Sequence, residues 1–258
     1  MSADACLALL LDGPMQSWGH ASRFERRTTA LHPTRSGVLG IIAAALGIDK
    51  HAPDEATQLD RLKVLRVTTV KLDKTDGRGE PLPIQRLEDY HTVAFTREAG
   101  AKPSRVAKLL AKSRGPINAE DRGSEIKPTT RHYLLDARFG ELLEGPGALL
   151  EEIATALRNP KWGVWLGRKC CLPASPVLAA PPGDVGDVWR QLLQRAGFAG
   201  NESIEDFDRI VETAATDPTA DLIEDTPLGY GKPIGERHAP RWIRRVPKSG
   251  VECTSTST

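Results

Sequence analysis

Between Asp73 and Thr129 the chain crosses a polar, basic stretch broken by Gly77, Gly79, Pro81, Pro83, Pro103, Gly115, Pro116 and Pro128. That is far longer than the connections inside a compact domain. Whatever fold surrounds it must close its core without it. Upstream, Cys6–Asp12 is a short apolar run stopped by Gly13-Pro14 and reads as a buried strand. Residues 37–46 read as a helix, with Thr34 as N-cap and Gly47 as the stop. This helix is small-sided (Gly37, Gly40, Ala43, Ala44, Ala45) and can lie close to its neighbours. Leu62–Leu72, rich in Val and Thr, reads as a strand. Downstream, Thr130–Ala137 reads as a strand, and Leu149, Leu150, Ile153 and Leu157 recur at helical spacing between Pro146 and Asn159-Pro160. Trp162–Leu166 reads as a last short strand. The order β-α-β, insertion, β-α-β predicts an α+β, ferredoxin-like (RRM-like, split βαβ) domain, a scaffold common among RNA-binding modules.

On this reading residues 1–172 form the ferredoxin-like domain, and 73–129 are an inserted thumb or a loop that orders on binding. The Pro-rich stretch Pro173–Pro182 marks a boundary. Residues 173–258 form a small C-terminal region: a helix at Val188–Ala196, an acidic strand-like segment near Phe207–Thr213, and a basic tail from Tyr230. The end, Ser255–Thr258, is expected to be disordered.

Of the 258 residues, 40% are hydrophobic and 27% charged, enough for a sizeable core in a soluble protein. The apolar run Cys6–Leu11 lacks the basic flank and length of a signal peptide, and no stretch approaches the ~20 apolar residues of a membrane span. The cysteines Cys6, Cys170, Cys171 and Cys253 form no C-x-x-C, so reduced thiols in a cytoplasmic protein without metal or cofactor are expected. Net charge is only +1, but cations come in blocks. Arg23, Arg26, Arg27 and Arg35 face only Glu25. A second block runs from Arg97 to Arg131, and a third, from Lys232 to Lys248, contains Arg241, Arg244 and Arg245. The compensating acids crowd into Asp184–Asp225. Such blocks suit a polyanion, because each neutralised phosphate releases condensed counterions; solvated surface charge is the alternative.

Residues 13–47 carry most of the chemistry. Thr34-Arg35-Ser36-Gly37 sits at a predicted helix N-terminus, where free N–H groups attract an anion. Arg23, Arg26 and Arg27 precede it, and Trp18 offers a face for a stacked base unless it is core. The motifs H-E-x-x-H, G-x-S-x-G and G-x-x-x-x-G-K-[ST] are absent. RNA cleavage without metal needs a base and a cation. His20, His32, His91 and His132 could supply the first, and Arg35, Arg131 and Lys169 the second, but no spacing forces any pair together.

As a whole the segment is not generic. Pro14-Met15-Gln16-Ser17-Trp18-Gly19, Ser22-Arg23-Phe24, Arg26-Arg27-Thr28 and Pro33-Thr34-Arg35-Ser36-Gly37-Val38 resemble the N-terminal signature of the CRISPR-associated Cas-five family, in its CasD form from type I-E systems. The resemblance continues through Asp89-Tyr90-His91-Thr92-Val93, Thr130–Ala137 and Leu166-Gly167-Arg168-Lys169, over roughly the first two thirds of the chain. It implies a ferredoxin-like domain with a projecting thumb that holds the 5′ handle of CRISPR RNA. It also implies a hetero-oligomeric Cascade complex, in contact with the backbone subunit CasC and the large subunit CasA. Cleavage belongs to another subunit in this subtype, so no catalytic residue is expected; in a sister subtype the family member cuts repeat RNA itself. The residues expected at the RNA are Gln16, Trp18, Arg23, Arg26, Arg27, Thr34, Arg35, Ser36, His91, Arg131, Arg168 and Lys169.

Overall fold

The structure, a computed structural model, describes residues 4–19, 26–96, 124–231 and 238–249. Its centre is a seven-stranded antiparallel sheet in the order β10-β1-β9-β6-β11-β13-β12. These strands are β1 (Asp4–Asp12), β6 (Arg66–Lys71), β9 (Arg138–Pro146), β10 (Leu178–Gly183), β11 (Arg209–Glu212), β12 (Asp221–Pro227) and β13 (His238–Val246). The helices are α1 (Arg35–Leu46), α2 (Glu55–Leu62), α3 (Gly147–Arg158) and α4 (Val185–Arg195).

The unbroken apolar run of β1 follows from burial on both faces. Leu7, Leu9 and Leu11 pack with α1 and α3, beside Val67, Phe139 and Leu143. Cys6, Ala8 and Leu10 face the other way, into a cluster with Val188, Leu192 and Leu193 of α4. α1 keeps the two ends expected of it. The Thr34 hydroxyl accepts the Gly37 N–H at 3.2 Å, and Gly47 closes the helix in the left-handed region at φ 77°.

Several expected elements lie elsewhere. Trp162–Leu166 is irregular; the strand that completes the β-α-β order is β10, within the Pro-rich stretch. β10 is an edge strand, where proline removes no ladder hydrogen bond. The division expected after Leu172 therefore runs through this sheet, since β10, β11, β12 and β13 all lie beyond it. Of Thr130–Ala137, residues 130–135 belong to a second sheet, and the core strand of that region is β9, which begins at Arg138. Leu62 ends α2, and the strand expected from it starts at Arg66.

The insertion contributes β7 (Gln85–Thr96) and the first half of β8 (Ser124–Leu135), an antiparallel pair in register from Gln85↔Leu135 to Thr96↔Ser124. Residues 97–123, and with them most of the second basic block, lie outside the described residues, as do Ser255–Thr258. On its other side β8 pairs with β2 (Met15–Gln16) and, in parallel, with β4 (Arg26–Arg27). β3 (Trp18–Gly19) pairs with β5 (Thr29–Ala30). No described helix is long and apolar enough to cross a membrane.

Candidate nucleic-acid interface

The loop after β1 is fastened to the core. The Gln16 amide donates to the carbonyls of Leu11 at 2.9 Å and Ala137 at 2.6 Å, and accepts the Trp18 indole N–H at 3.0 Å. Both side chains are fully buried. A Cβ on Gly37 would lie 2.7 Å from the Trp18 ring, so the glycine is what lets the indole lie against α1. Gln16 and Trp18 therefore hold this loop together, and neither face of the indole is open to a base.

The expected anion site at the start of α1 is likewise filled. The Arg35 N–H donates to the Asp225 carboxylate at 2.7 Å. The Arg35 guanidinium, 4% exposed, pairs with Glu212 and donates to the carbonyls of Lys63 at 2.9 Å and Leu65 at 2.8 Å. Arg241 donates to Asp225 at 2.6 and 2.9 Å and to Glu212 at 3.1 Å. Burial alone would raise the pKa of Asp225, but the bond and charge of Arg241, with Arg35, hold it below the ordinary carboxylate value. Thr34 is buried as a cap, and the Ser36 carbonyl accepts the Tyr230 hydroxyl at 2.7 Å. Thr34 and Arg35 thus serve the fold. The described arginines of the third basic block are paired the same way: Arg244 faces Asp217 at 3.6 Å and Arg245 pairs with Asp221.

Of the cations expected at the RNA, Arg26, Arg27, Arg131, Arg168 and Lys169 gather around β8. Arg26 and Arg27 are exposed and lie in register with Thr130 and Arg131. Arg168 and exposed Lys169 ride on a tight turn closed by Leu166 N–H to Cys171 C=O and Cys171 N–H to Arg168 C=O, both 2.8 Å. Gly167, at φ 95°, lies so close to Ser17 that a Cβ would sit 1.8 Å from its carbonyl oxygen, so this turn requires glycine. Arg168 donates to the Arg27 carbonyl at 3.1 Å and stacks over Tyr133, 4.9 Å from the ring centroid. The side chains of Arg131 and Arg168 each keep one buried N–H without a hydrogen-bond partner. Opposite Arg131 on β7 stands Asp89, 3.7 Å from half-buried His91. Arg23 and His20 lie outside the described residues.

Of the remaining histidines, His132 is 3.6 Å from Glu88 on the other face of β8 from Arg131, and His32 contacts its neighbour's carbonyl, Pro33 O, at 2.9 Å. Burial pulls the pKa of His32 below its ordinary value.

Residues 6–230 match the model of the family described as CRISPR-associated protein (Cas_Cas5). This chain belongs to that family. The match runs past the first two thirds, where the sequence motifs end, and takes in β10, α4, β11 and β12. The CRISPR system Cascade subunit CasD of Escherichia coli (strain K12) is 32% identical over 176 residues, 66% of this chain and 68% of that one. A solved chain described as CRISPR RNA-guided surveillance complex superposes with a TM-score of 0.63 at 29% identity, over 94% of this chain and 90% of its own. Another, described as Cas protein, gives 0.50 at 27% identity, over 94% and 95%. Gly167 and Tyr133 lie within the motif segments but are not among the expected site residues, because their contacts, with Ser17 and Arg168, are made across the fold.

Proposed function

We propose that this protein is a non-catalytic subunit of a cytoplasmic Cascade-type ribonucleoprotein that holds the 5′ handle of CRISPR RNA. Its neighbours would be the backbone subunit CasC and the large subunit CasA. The observation that carries this reading is the division of labour among the arginines. Those of β13 and Arg35 are matched by carboxylates, whereas Arg26, Arg27, Arg131, Arg168 and Lys169 converge on one sheet with few acids. Unmatched cations on one surface favour a phosphate backbone, whose affinity comes largely from counterion release. Relatedness to the Escherichia coli Cascade subunit supports the assembly.

The strands β1, β6, β9 and β10, in the order β10-β1-β9-β6 with α1 and α3 as crossovers, support the ferredoxin-like reading, with β7 and β8 as the base of a projecting arm. The endoribonuclease reading is the weaker one. His132 and Arg131 leave opposite faces of β8, which does not suit a base and a cation acting on one phosphate.

The test is to purify the full chain, sequence any RNA that accompanies it, and titrate synthetic 5′-handle RNA across a salt series. A shared 5′ sequence and a steep negative slope of affinity against salt are expected. Salt-independent binding, or none, overturns the reading.

A further inference from the structure

The Arg168 guanidinium is fixed on two sides. Its central carbon lies over the Tyr133 ring, 4.9 Å from the centroid, and Nη2 donates to the Arg27 carbonyl. Nη1 is buried without a hydrogen-bond partner. Tyr133 itself is 4% exposed, and its hydroxyl receives the Cys170 thiol at 3.6 Å, from the same turn that carries Arg168. Arg131, two residues before Tyr133 on the same face of β8, also keeps a buried Nε without a partner. Buried donors normally find acceptors, so two orphaned N–H groups on one sheet face mark a place where an acceptor is missing.

We infer that Tyr133 is a positioning residue of the RNA site: its ring, beneath the Arg168 guanidinium, orients that side chain so that its solvent-facing part takes a phosphate oxygen. This rests on the RNA-binding reading above. A planar guanidinium stacks on an aromatic face and presents a rigid fork, whereas a lysine ammonium is a mobile point charge. The ring therefore converts a flexible cation into an oriented donor, and less freedom is lost when the phosphate arrives. The contact between Cys170 and the Tyr133 hydroxyl fastens the turn, but the ring face is what orients the arginine.

The experiment measures handle-RNA affinity over a salt series, with thermal melting alongside, for wild type, Arg168→Lys, Tyr133→Leu and Tyr133→Phe. Arg168→Lys keeps the charge and is expected to bind about tenfold more weakly, the scale of one lost charged hydrogen bond. Tyr133→Leu is expected to lose a similar factor, and Tyr133→Phe, which keeps the ring, to restore most of it. If Tyr133→Leu melts early, Arg168→Lys decides alone. Arg168→Lys binding like wild type means that charge alone suffices, and overturns the proposal while the RNA reading stands. Tyr133→Phe as weak as Tyr133→Leu overturns it too, by assigning the effect to the hydroxyl. A wild type that binds handle RNA without salt dependence removes the RNA reading itself.

Discussion

The Asp225 carboxylate accepts the backbone N–H of Arg35 at 2.7 Å, so the positive end of α1 is answered by an anion from β12. Arg35, Glu212, Arg241 and Asp225 together balance two positive charges with two negative ones in a largely buried cluster. The cluster ties α1 to the last three strands.

Asp225→Asn is expected to destabilise the fold by about 3–5 kcal/mol, because it leaves Arg241 buried with a broken pair. Because the folded pKa of Asp225 is depressed, its contribution is present above the unfolded value of ~3.9 and is lost as pH falls through the lower folded value. Urea denaturation at a series of pH values checks both. Wild-type stability at neutral pH in the variant would show that the cluster does not hold the strands.

Glu141 should behave in the opposite sense. It is fully buried on β9, accepts the Thr69 hydroxyl at 2.8 Å and has a second oxygen without a partner, so burial drives its pKa well upward. A raised carboxyl contributes stability that is complete below the unfolded value of ~4.3 and lost as pH climbs toward the folded one. Glu141→Gln should therefore flatten the decline of stability as pH rises above ~4.3. Parallel wild-type and variant curves would mean that Glu141 is ionised in the fold.

Gly37→Ala places a methyl group 2.7 Å from the Trp18 ring. The expected cost is about 1–3 kcal/mol, as for other overpacked cores. RNA affinity of the folded protein should stay unchanged, since the Trp18 ring is fully buried. Calorimetry and a binding titration on the same sample separate the two effects; weaker binding with unchanged melting would return Trp18 to the interface.

Arg26→Ala with Arg27→Ala removes two exposed cations. The salt slope for handle RNA should flatten by roughly two units, about one per lost phosphate contact, with the melting temperature nearly unchanged. Aggregation or early melting of the double variant would make these arginines structural.

Repeat RNA incubated in chelator near neutral pH should remain intact in single-turnover assays with wild type, His32→Ala, His91→Ala and His132→Ala. A positioned base contributes ~10²–10⁴-fold in rate, well within detection. Cleavage at one position, abolished by one of these substitutions, would place the protein among the endoribonucleases.

How much of this was legible in the sequence depends on where each residue finds its partner. Both ends of α1 can be read because capping is local: Thr34 binds its own third neighbour and Gly47 needs only its own backbone. β9 is hidden because Gly140 and Glu141 break its apolar pattern. Gly140 is there because a Cβ would meet Leu192 at 2.7 Å, and Glu141 answers to Thr69 on β6. The basic character of β13 is plain in the sequence, but its neutralisation by Asp217, Asp221 and Asp225 is a matter of strand pairing. Arg26 and Arg27 read as exposed cations in a loop; the parallel register that sets them beside Arg131 does not show until β8 is placed.

The sheet order also dictates a timetable. β6 lies between β9 and β11, and β11 in turn needs β13, which leaves the ribosome long after β6. While the chain is being made, β1, β6 and β9 can already pair, leaving one flank of β6 with open N–H and C=O groups. Such an edge recruits other strands. A nascent or truncated chain lacking residues 209–246 thus carries an adhesive border that the finished protein seals, and shortening it from the C-terminus should yield aggregates rather than a smaller soluble fold.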